Sequence, residues 1–178
     1  MHPVVLATVI LSKYAAFNIK EVEQFVGGLV FGFVQEDDLT KIQTCLKDAQ
    51  TVDEEMTQAI ADIMKKDLQD IVKGIEEMAT VVGQLTGDLN DCKGMETDIA
   101  RIEKWAAIFK NPKELIQVLF TNVIKNIKNI ETDISSITTD VAADNFWKVG
   151  TDAADLMVQA VGPVPAAADI ETIEVTQW

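Results

Sequence analysis

Apolar positions recur along the middle of the chain with alternating spacings of four and three. Met64, Leu68, Ile71, Ile75, Met78, Val82 and Leu85 fall in this way on one stripe of a helix. Ile116, Phe120, Val123, Ile127, Ile130, Ile134, Ile137 and Val141 do the same over a longer stretch. At 1.5 Å per residue the two predicted helices are roughly 33 and 39 Å long. A sustained 3-4 repeat favours shallow crossing angles, so the pattern predicts an all-α bundle containing two long heptad-patterned helices.

The polar punctuation divides the rest. Thr51-Val52-Asp53-Glu54 has the spacing of a capping box, and Asn111-Pro112 places a cap before a proline at the first helical position. Asp37 or Asp38 can cap a short helix carrying Leu39, Ile42, Cys45 and Leu46. Thr86-Gly87-Asp88 ends the first long helix, and the next carries Leu89, Cys92, Ile99, Ile102, Trp105, Ala106 and Phe109. Asp144 opens a last helix through Phe146, Trp147, Leu156, Met157 and Val161, with Gly150 as a point of interruption. The expectation is five or six helices in one domain over residues 17–161.

The ends read differently. Residues 1–16 hold the β-branched stretch Val4 to Leu11 followed by Ser12-Lys13-Tyr14-Ala15-Ala16, which fits either a signal-like leader or an extended apolar N-terminal segment. Residues 162–178 open with Gly162-Pro163-Val164-Pro165, a Pro-rich linker that cannot continue a helix, and end in the alternating, strand-like Ile173 to Trp178. A bundle offers such strands no sheet of its own. They are expected to pair between copies, through Val4, Leu6 and Ile10 on one side and Ile173, Val175 and Trp178 on the other.

Phe25 to Val34 contains no polar side chain, and Gly27, Gly28 and Gly32 within it cost a helix about 3 kcal/mol relative to alanine. Two returns are open. Gly28 and Gly32 lie four apart on one face and would let another helix approach closely. Alternatively the segment lines a cavity for a lipid-like ligand, around Phe25, Phe31, Met78, Trp105 and Phe109.

Composition narrows the chemistry. In 178 residues, 48% are hydrophobic and 25% charged, enough for a sizeable core, and no apolar run is long enough to span a bilayer. The 15 basic residues, of which Arg101 is the one arginine, face 29 acidic ones for a net charge of -14. That balance argues against a nucleic-acid partner, which needs clustered basic residues. With one histidine (His2), one tyrosine (Tyr14) and two cysteines, no catalytic, metal-binding or cofactor-binding set assembles. Cys45 and Cys92 are either a disulfide or two buried thiols, and their positions beside the apolar stripes of neighbouring helices make the disulfide the expectation.

Several of these features occur together in a known pattern. A hydrophobic leader, the Phe/Gly segment Phe25 to Val34, Cys45, an acidic helical middle, Cys92, then Trp105-Ala106-Ala107-Ile108-Phe109 and Asn111-Pro112-Lys113-Glu114-Leu115 resembles the small secreted acidic helical proteins of ciliates. The resemblance spans Phe17 to Met157 and implies secretion and a disulfide, but no activity. The expected function is that of a non-catalytic, secreted structural protein that self-associates, head to tail, into an oligomer or filament. The alternative is a carrier of an apolar ligand in the bundle core.

Overall fold

Asn18 starts the first helix. Its side chain accepts from the Glu21 amide at 3.1 Å while the Glu21 carboxylate accepts from the Asn18 N–H, so two otherwise unpaired donors are satisfied reciprocally. From there the computed structural model, which describes residues 18–169, runs through α1 (Ile19–Val34), α2 (Leu39–Cys45), α3 (Ala49–Ile63), α4 (Leu68–Asp88) and α5 (Glu96–Ala106). A 3-10 turn (Ala107–Lys110) leads to α6 (Pro112–Lys125), α7 (Ile127–Ala142) and α8 (Phe146–Val161). The all-α class is as expected, and the described residues contain no strand. The expected terminal contacts Val4, Leu6, Ile10, Ile173, Val175 and Trp178 lie outside the described residues.

The expected count of five or six helices is too low, because both long stripes are broken by backbone conformations that hydrophobic periodicity does not register. The first breaks after Ile63, where Lys66 takes the left-handed region at φ 63°, so Met64 belongs to the end of α3 and Leu68 opens α4. The second breaks at Asn126 (φ -108°, ψ 20°), whose side-chain amide donates to the Asn122 and Gln159 carbonyls at 3.1 and 3.2 Å. The break resets the buried face. Before it Leu115, Leu119 and Val123 face the core while Ile116 stands exposed; after it Ile130, Ile134, Ile137 and Val141 are fully buried.

Two start signals also move. Thr51 lies inside α3, which opens at Ala49 behind a left-handed Asp48, so the expected capping box does not form. Asp144 is left-handed as well, and Asn145 caps α8 by accepting from the Lys148 amide. Leu89 and Cys92 precede α5 in a turn and are not part of it. By contrast Asn111 caps α6 ahead of Pro112 as expected, and Gly150 leaves α8 continuous.

The most extensive contact in the fold joins α1 to α8. Gly28 and Gly150 explain it: a Cβ on Gly28 would overlap the Trp147 carbonyl, and one on Gly150 would overlap the Phe25 carbonyl and meet the Leu29 nitrogen at 2.6 Å. One turn along, a Cβ on Gly32 would overlap the Ala154 methyl. The glycines therefore let two helix backbones touch, with Phe25, Val26, Leu29, Val30, Ala153 and Met157 buried around the seam.

Past α8 the chain stays attached to the bundle. Trp105 donates its indole N–H to the Gly162 carbonyl at 2.7 Å, and Arg101 donates to the Pro165 carbonyl at 2.8 Å and to the Val34 carbonyl at the end of α1 at 3.2 Å. No helix among the described residues is long and apolar enough to cross a membrane.

Candidate functional site

Four features could carry function. The first is the disulfide. Cys45, the last residue of α2, is bonded to Cys92 in the turn after α4, with Cα atoms 5.2 Å apart and a sequence separation of 47. The loop it closes holds the α3–α4 hairpin. An ion pair between Lys47 and Asp91 and a hydrogen bond from the Lys47 amide to the Asp88 carbonyl lie alongside. Chain-entropy arguments give the bond a few kcal/mol. Reduction, or replacing both cysteines by alanine, is expected to lower stability by about 3 kcal/mol. That is roughly 10 °C in the melting temperature of a domain this size, checked by calorimetry with and without reductant; an unchanged melt would show the staple to be energetically idle.

The second is the aromatic set proposed to line a cavity. Phe25 and Met78 are fully buried. Trp105 packs between Phe33, with ring centres 4.7 Å apart, and Phe109, edge-on at 5.2 Å, whereas Phe31 packs on Trp147. The enclosed apolar gap nearest this description, lined by Val30, Phe33, Leu85 and Ile102 among others, measures about 10 Å³, roughly the room one water needs. None of the five residues lines it. Trp105 and Phe109 come together, and Phe25, Met78 and Trp105 share one buried core with Phe109 packed against it.

The third was not visible as a site in the sequence. Carboxyl groups meet in pairs across helix seams. Between α7 and α8, Gln159 donates to Asp133 at 2.9 Å and to Asp155 at 2.7 Å, bridging the two. Burial first, then the hydrogen bond and charge of Asp155, push the Asp133 carboxyl up to about 8. Two turns along the same seam, Asp140 and Asp152 each keep a buried oxygen with no other partner, and a proton shared between them satisfies both. Burial and Asp140 push Asp152 up to about 7, while the Lys148 ammonium, 4.0 Å from Asp140, opposes the rise.

Between α3 and α4 the fully buried Asp62 meets Glu77. Burial and Asp62 raise Glu77 to about 7; Asp62 itself, despite its own burial, is held below the usual carboxylate range by hydrogen bonds from Glu77, Lys65 and Gln58. Burial and Asp38 raise Asp98 to about 7, and burial and Asp48 raise Asp88 to about 6. A signal existed. Asp133 and Asp140 are a heptad apart, and Asp152, Asp155 and Gln159 follow 3-4 spacing, so each set shares a helix face beside the apolar stripe.

The fourth is one face of α6. Lys113, Ile116, Phe120 and Ile124 recur at spacings of three, four and four, next to the buried Leu115, Leu119 and Val123. Ile116 is 39% and Ile124 59% exposed. Lys104, Lys110, Lys113, Lys125 and Lys128 flank the row in sequence, and Glu114 is the single acid between Lys104 and Lys128, so this stretch is positive in a chain of net charge -14.

The chain belongs to the SctB-like family, described as Secreted protein B-like, which matches residues 8–159. No curated protein and no solved structure matches it. The family and the Cys45–Cys92 bond together place the protein in the secretory pathway or outside the cell. The match agrees with the secreted character that the resemblance implied and does not extend to its ciliate source or its acidity.

Proposed function

We propose that this member of the Secreted protein B-like family is a non-catalytic structural protein that associates with copies of itself. The observation that supports the reading is the aligned row on α6 of exposed Ile116 and Ile124 with half-buried Phe120 between them. Single exposed apolar residues are ordinary on protein surfaces, but a row at helical spacing beside a closed core is surface that a partner would remove from water. The strand-like ends supply the second contact. Val4, Leu6 and Ile10 of one copy would pair with Ile173, Val175 and Trp178 of the next, a head-to-tail arrangement that gives a ring or an open filament.

Native mass spectrometry and sedimentation of the full chain test this. Multimers that grow with concentration are expected, and a chain that stays monomeric throughout would overturn the reading. Replacing Ile173 and Val175 by glutamate is expected to shorten the multimers while leaving the helical content unchanged. If association is unaffected, the terminal segments have no part in it.

A further inference from the structure

The described residues expose three large hydrophobic side chains, and these fall on two surfaces of opposite charge. Ile116 and Ile124 lie on α6 among exposed lysines. Ile19, 63% exposed, lies at the start of α1, on the rim of an open groove of about 840 Å³ that runs between the N-terminal ends of α1 and α3. Val22, Asp48, Asp53 and Glu54 line the same groove. We propose that the lysine-flanked isoleucine face of α6 docks in this acidic groove of a second copy of the chain. The proposal rests on the self-association reading above and names its surfaces.

Charge decides the occupant. Two copies at net charge -14 repel through most orientations, and an encounter that presents the lysine-rich stretch to carboxylates is favoured over the others. The groove offers Asp48, Asp53 and Glu54 to Lys113 and Lys125, and the apolar wall of Ile19 and Val22 to Ile116, Phe120 and Ile124. Because donor face and acceptor groove are different surfaces, each copy uses both, and the contact propagates head to tail. An anionic membrane would also attract the lysines, but the remainder of so acidic a molecule is repelled by it.

Charge exchange tests the contact on the full chain. In one variant, Lys113→Glu with Lys125→Glu makes the α6 face acidic; in the other, Gln50→Lys, Thr51→Lys and Glu54→Lys make the groove basic. All five positions are exposed, and circular dichroism and thermal melts check that both variants fold. Each alone is expected to associate at least tenfold more weakly than the unmodified chain by sedimentation velocity. An equimolar mixture is expected to recover association as a 1:1 alternating assembly, because every face then meets a groove of opposite sign.

If both variants associate as well as the unmodified chain, this contact is wrong while self-association stands on the terminal segments. If the unmodified chain never associates, both readings fall. Binding of the unmodified chain, but not of the Lys113→Glu/Lys125→Glu variant, to phosphatidylserine vesicles with no association between copies would reassign the face to a membrane and overturn the proposal.

Discussion

Gly28→Ala and Gly150→Ala are each expected to lower the stability of the protein by about 4 kcal/mol, above the usual ~1–3 kcal/mol for overpacking a core. The sign runs against local preference, since alanine is the better helix former by about 1 kcal/mol. The reason is what the added methyl meets. At Gly28 it overlaps the Trp147 carbonyl oxygen, and at Gly150 the Phe25 carbonyl oxygen, so no side-chain rotation relieves either clash and α1 must separate from α8. Gly83→Ala is the control. Gly83 is also inside a helix, α4, but a Cβ there meets nothing within 4 Å, so that substitution is expected to raise stability by about 0.5–1 kcal/mol. Urea denaturation of the three variants decides. Equal, small effects at all three positions would mean that the α1–α8 seam is not packed backbone to backbone.

The Gly28 result turns on what a sequence can display. Gly28 and Gly32 are four apart in an unbroken apolar run, so a close-approach face on α1 was legible from their spacing and from the unfavourable helix propensity that something must offset. Their partner was not. Gly150 read as an interruption of the last helix, because nothing local tells a glycine that breaks a helix from one that receives another helix. The same limit governs α6. A 3-4 repeat runs unbroken from Ile116 to Val141, yet the helix turns at Asn126, and of the stripe's first three positions Val123 alone is buried, with Leu115 and Leu119 taking the core places expected of Ile116 and Phe120. Periodicity ranks faces within one element; which face wins is settled by the neighbour. The carboxyl pairs were hidden for a related reason, since each member looks like an ordinary surface acid until the facing helix supplies the second. The Cys45–Cys92 bond was legible as the expected one of two outcomes, because two cysteines allow a single pairing, while the placement of Cys92 in a turn was not.

Raising the pH from 5 to 9 is expected to loosen the bundle. Asp133, Asp152, Glu77, Asp98 and Asp88 all hold their protons more tightly in the folded chain than their ordinary values allow, Asp133 up to about 8 and the others to about 6 or 7. The folded state therefore binds more protons than the unfolded one between about pH 4 and 8, and stability falls as pH rises through that window. Asp62 acts in the opposite sense: held below its ordinary range, it contributes stability above that range that is lost on strong acidification. Stability is thus expected to peak near pH 4, at the acid edge of that window. A tenfold difference in proton affinity between the folded and unfolded chain corresponds to about 1.4 kcal/mol. These carboxyls are partly open to solvent, which screens much of that, so the five pairs together are expected to contribute a decline on the order of 4 kcal/mol. Asp133→Asn and Asp152→Asn separate the cause from the background. An amide can donate to Asp155 or Asp140 as the protonated acid does, but it does not ionise, so the double variant is expected to match the parent near pH 5 and exceed it in stability at pH 8. Urea midpoints at pH 5, 6.5 and 8 read the difference. A parent chain whose midpoint rises over that range, or a variant whose profile follows the parent's, would mean that the α7–α8 seam does not hold its proton. The chemistry that closes this seam is the one most sensitive to where a secreted protein finds itself, because the same helices that share protons in mildly acidic surroundings face each other as bare carboxylates in alkaline ones.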